Sequence, residues 1–118
     1  MKQDWYWLAV AIAAALLPMA CGGTKPPDVA RGEKVYNSRC WNCHEKDTAA
    51  LASVPGQGPG LKGFAARASH QDMNGNPHQH SDALVRDLIV QGSTNMPPQG
   101  QGLSEQDLLD VIAYVKTL

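Results

Sequence analysis

The sequence predicts an all-α domain. Three stretches carry apolar residues at helical spacing, and almost nothing alternates apolar with polar residues as a half-buried strand would. A Cys-x-x-Cys-His motif, Cys40-Trp41-Asn42-Cys43-His44, directly follows the first of these stretches.

The chain has 118 residues, and its start reads as a targeting segment. Lys2 precedes the apolar run Trp5 to Leu17, which is long enough for the core of a signal peptide and shorter than the roughly 20 residues that span a bilayer. The run ends at Pro18-Met19-Ala20-Cys21-Gly22-Gly23, which resembles a bacterial lipoprotein signal with Cys21 as the lipidated first mature residue. Residues 1–20 are therefore expected to be a signal peptide, 21–27 a flexible Gly/Pro-rich tether, and 28–118 one folded domain. An uncleaved anchor and ordinary cleavage are the alternatives. All three export the domain to the periplasmic side, and the lipidated form would hold it at a membrane.

A first helix is expected from Asp28 to about residue 37, with Asp28 as its cap and Val29, Gly32 and Tyr36 at helical spacing. In the motif that follows, positions i, i+3 and i+4 share one face of a helical turn. Two thiols can then meet the two vinyl groups of a haem while an imidazole reaches its iron, which is how C-x-x-C-H attaches haem covalently. One such motif predicts one haem. Trp41, between the cysteines, is expected to pack at the haem edge.

Between His44 and Ser81 the chain is rich in Gly, Pro, Asn and His, broken by one expected short helix over residues 64–69. So long a loop is unusual in a compact domain, and a cofactor edge to wrap would account for it. A second helix is expected over Ser81 to Gly92, with a Ser cap, a Gly stop, and Leu84, Val85, Leu88 and Ile89 on one face. The last, Leu103 to Leu118, opens with Ser-x-x-Asp and carries Leu108, Val111, Ile112 and Val115 on one stripe.

Taken together, roughly residues 28 to 118 resemble class I cytochrome c. Gly32 and Tyr36 look like the Gly/aromatic pair of that family's N-terminal helix, and Tyr114 is similar to the aromatic it meets in the last helix. The resemblance implies a small fold of crossing N- and C-terminal helices around one covalent haem c. It also implies that Gly58-Pro59-Gly60-Leu61 is the loop whose proline carbonyl, that of Pro59, accepts the N–H of His44. Asn95-Met96-Pro97-Pro98 resembles the loop of the sixth ligand, making His44 and Met96 the axial pair on the iron. Met73, in a turn-like stretch, is the competing methionine, and one of His70, His78 or His80 would give bis-His ligation instead. The implied function is one-electron transfer between a redox protein donor and acceptor, either as a carrier or as the haem subunit of a larger oxidoreductase. A haem peroxidase or ligand-binding protein would need a displaceable sixth ligand.

Other readings fit less well. Ten Lys/Arg against eleven Asp/Glu give a net charge of −1 and no basic stripe for nucleic acid. A thiol-disulfide enzyme would need strands around C-x-x-C. A zinc site built from Cys40, Cys43, His44, His78 and His80 leaves the compact Cys/Cys/His spacing unexplained. Asp72 to Asn76 resembles the start of a calcium loop, but Pro77 stands where glycine is required.

Overall fold

Asp28 opens the first helix, α1 (Val29–Arg39), by accepting the backbone N–H of Arg31 at 3.1 Å. Ser81 does the same for α2 (Asp82–Gln91), accepting from Leu84 at 3.2 Å, and Gly92 stops that helix at φ 74°, where a side chain would be strained. In α3 (Glu105–Val115), Ser104 Oγ accepts the Asp107 N–H at 3.1 Å while the Asp107 carboxylate accepts the Ser104 N–H at 2.9 Å, a reciprocal cap. The computed structural model describes residues 22–50, 56–67, 69–71 and 77–118. The expected signal peptide, Cys21 and Met73 lie outside them.

The expectation of a helical domain holds, with two local differences. Strands β1 (Ser69–Gln71) and β2 (Pro77–Gln79) pair antiparallel, with His70 opposite His78. The short helix expected over residues 64–69 is replaced by turns from Lys62 to Arg67, and Ser69 begins β1. Gly63, at φ 69°, turns the chain there. Too few residues follow to offset the cost of nucleating a helix.

The interior forms where α1 crosses α3. Gly32 is buried, and a Cβ at that position would overlap the Asp110 carbonyl and lie 2.9 Å from Tyr114 Cβ. The missing side chain therefore lets two backbones meet. One helical turn on, the rings of Tyr36 and Tyr114 pack at 5.3 Å between centroids, tilted by 54°. Leu108, Val111, Ile112 and Val115 complete the core from α3, and Val85 and Ile89 join it from α2.

The crossing also buries a charge. Asp110 is fully buried and forms an ion pair with Arg31. Its carboxylate further accepts the Asp28 N–H at 2.8 Å and the Gln106 side-chain amide at 3.0 Å. These donors offset its desolvation. Lys25, in the segment expected to be a tether, bonds to Gln106 in both directions, its N–H donating at 2.6 Å and its carbonyl accepting at 3.1 Å.

The hydrogen bond from Arg31 is the main reason that the Asp110 carboxyl is pulled down to about 2, and burial opposes it. A value below that of the unfolded chain means that ionised Asp110 adds stability at neutral pH, and that this addition is lost as the pH falls from about 4 to about 2. Arg31 is partly exposed, so solvent screens the pair. In acid titrations followed by circular dichroism, Asp110→Asn is expected to be less stable than the parent at pH 7 and to lose less further stability between pH 4 and 2.

Candidate functional site

Helical hydrogen bonding continues past α1 into the motif. Cys40 donates its N–H to Tyr36 O at 2.8 Å, His44 donates to Cys40 O at 2.8 Å, and Cys43 closes a tighter turn on Cys40 O at 3.1 Å. The two cysteines and His44 thus occupy one turn of chain carried by α1. The Tyr36 hydroxyl donates to the His44 carbonyl from below.

On the far side of that turn, His44 Nδ1 lies 2.8 Å from the Pro59 carbonyl oxygen. A carbonyl can only accept, so Nδ1 carries the proton and the Nε2 lone pair is left for a metal. Gly58 makes this approach possible. A Cβ there would overlap the imidazole, reaching Nε2 at 2.7 Å. The Gly58 N–H donates to Cys43 O at 2.8 Å, which ties the loop to the motif.

Gly92 releases the chain from α2 into a tight loop around Met96. Ser93 donates its N–H to Met96 O at 2.7 Å, and its hydroxyl accepts the Met96 N–H at 3.2 Å. These two loops and the motif enclose a cavity of about 760 Å³. Cys40, Cys43, His44, Pro59 and Met96 all line it, and Leu88 of α2 forms part of its wall. Every site residue expected within the folded domain therefore reaches one cavity. Trp41 does not line it and is 44% exposed.

The donor set suits a haem. Two thiols, an imidazole with a free Nε2 and a soft thioether donor line one mainly apolar cavity. The same geometry disfavours the rivals. Burial, reinforced by Cys43, pushes the Cys40 thiol up to about 11, whereas thiol-disulfide exchange needs a depressed value. Among the described residues, no three His, Cys, Asp or Glu side chains converge to hold a metal ion.

A family model described as "Cytochrome C oxidase, cbb3-type, subunit III" matches residues 27–115. The chain belongs to this family of cytochrome c domains. Membership brings covalently bound haem c and electron transfer with it. Among solved structures, cytochrome c6 from the diatom Phaeodactylum tricornutum is similar to this cytochrome c over 76% of this chain and 92% of its own, at 24% identity and a TM-score of 0.52. That likeness establishes the fold. No curated protein matches the sequence.

Three supporting residues were not singled out from the sequence in the roles they hold. Gly58 could have been found from its place beside Pro59, because an imidazole that reaches a proline carbonyl must pass the preceding residue. Asp110 stands four residues before Tyr114, on the face that meets α1, where a charge needs a partner. Ser93 gives no signal beyond its position between Gly92 and Met96.

Gly58→Ala is expected to displace the imidazole or the loop and to break the bond between His44 and Pro59. Overpacking of this kind costs about 1–3 kcal/mol. The checks are a lower thermal midpoint of the haem-loaded protein and a changed visible spectrum.

Proposed function

We propose that this cytochrome c is a one-electron carrier outside the cytoplasm, with one haem c held through Cys40 and Cys43 and with His44 and Met96 as its axial ligands. The observation that carries this reading is the single cavity lined by both thiols, the imidazole and Met96. Haem c supplies a reversible one-electron iron couple there.

The chain's own residues do the rest. Pro59 holds the proton on Nδ1, so His44 presents Nε2 as a neutral donor. As a ligand, the Met96 thioether would favour the ferrous state and raise the potential. Pro97 and Pro98 stiffen the segment after Met96, and Ser93 closes it from the other side. With His44 and Met96 both holding the iron, no coordination position would be left for a substrate, which supports electron transfer through the cavity mouth. Among the described residues, apart from His44 and the thiols, Arg39 is the one ionisable residue lining the cavity. Long-range charge steering there is correspondingly weak.

A second reading makes the chain the haem subunit of a larger oxidoreductase. The name of the matching family favours it. A signal peptide over residues 1–20 and a lipid on Cys21 would suit either role, since both keep the domain beside a membrane.

Met96→Ala is expected to abolish the low-spin Met/His visible spectrum and to open the ferric protein to rapid cyanide binding. An unchanged spectrum would remove Met96 from the iron. Mass spectrometry of the native exported protein is expected to find the mass of one haem together with acylation at Cys21. An unmodified Cys21 would leave the carrier reading intact and end the lipoprotein one.

A further inference from the structure

Three contacts join one residue of α1 to both ends of the Cys40–His44 motif. The main-chain carbonyl of Tyr36 accepts the N–H of Cys40 at 2.8 Å and that of Trp41 at 3.0 Å. Its hydroxyl donates to the carbonyl of His44. A single residue four positions before the first cysteine thereby sets where the motif starts and where it stops.

Packing alone does not explain the hydroxyl. The Tyr36 ring is fully buried and rests on Tyr114 at the helix crossing. A phenylalanine would make the same ring contact. What phenylalanine lacks is the bond to His44, whose carbonyl would then lose its partner. Two other polar groups of His44 are engaged elsewhere, the backbone N–H by Cys40 O and Nδ1 by Pro59 O, with Nε2 left for the metal. Fixing the carbonyl as well removes the remaining freedom of the residue to rotate about its main chain and tilt its ring.

We propose that Tyr36 is a positioning residue for the iron-binding imidazole, its hydroxyl holding the His44 peptide so that the ring keeps one orientation while the ring of Tyr36 refers that orientation to the helix crossing. The proposal rests on His44 being the iron ligand. Through this residue, the packing of α1 on α3 is read out at the metal.

The test compares three haem-loaded proteins, the parent, Tyr36→Phe and Tyr114→Phe, by NMR of the ferric state and by solvent exchange of the His44 Nδ1 proton. Tyr36→Phe is expected to retain covalent haem, to shift the haem methyl resonances as the ring reorients, and to speed Nδ1 exchange by about fivefold, the effect of losing one net hydrogen bond. Tyr114→Phe keeps the ring pair and loses only the 3.4 Å contact of its hydroxyl with Glu33. It is expected to leave both readouts unchanged even where its thermal midpoint falls. Parent-like resonances and exchange in Tyr36→Phe would overturn the proposal. So would equal effects in both variants, which would mean that the crossing had merely loosened. A parent spectrum without histidine-ligated haem would overturn the ligand assignment first and this proposal with it, and it is distinguishable because it appears before any substitution is made.

Discussion

The rest of the structure depends on the contact of the Gly32 backbone with the Asp110 carbonyl. Because no side chain separates them, α1 and α3 come close enough for the Tyr36 and Tyr114 rings to pack one turn further along. Tyr36 ends up at the base of the Cys40–His44 turn, and that turn aims two thiols and an imidazole into the cavity. Each step needs the one before it. With a wider crossing, the tyrosines would separate and the motif would lose the floor on which it is built.

Asp110 makes the same crossing polar as well as close. A buried carboxylate is costly unless its lone pairs are filled. Here they are filled from the start of α1, by the Asp28 N–H and the Arg31 guanidinium, and from within α3 by Gln106. The negative charge therefore lies at the positive end of the α1 dipole and belongs to the other helix. An apolar stripe could slide along its neighbour by a residue or two. A carboxylate with three designated donors cannot, so this group specifies the register of the crossing.

How much of this was legible follows from which forces are local. The caps of α2 and α3 are sequence-local, and both helices lie where Ser81, Gly92 and the Ser104/Asp107 pair put them. Cys40, Cys43 and His44 needed only the geometry of one turn. The hairpin of β1 and β2 was hidden because its pairing is made by main chain, in a stretch whose side chains show no alternation. Leu84, Val85, Leu88 and Ile89 were expected on one apolar face, of which Val85 and Ile89 are buried while Leu84 and Leu88 are 37% and 40% exposed. Leu88 is turned to the cavity wall, so part of the apolar face of α2 serves the haem site instead of α3. Val29, at helical spacing with Tyr36 as expected, is 43% exposed, one turn before the crossing begins. Asp110 could be placed on the crossing face, but Asp28 and Arg31, about 80 residues away in sequence, could not be read as its partners.

The two bonds between Lys25 and the side chain of Gln106 have a mechanical meaning. Any pull on the chain ahead of Lys25 is handed to α3 there, and three residues later to Asp110 through the Asp28 N–H. Tension thus enters the molecule at its most tightly joined place and is shared between two helices. The loops that carry Pro59 and Met96 lie off this load path. A pull from whatever precedes residue 25 would therefore reach the site, if at all, through the helix crossing and Tyr36 beneath His44.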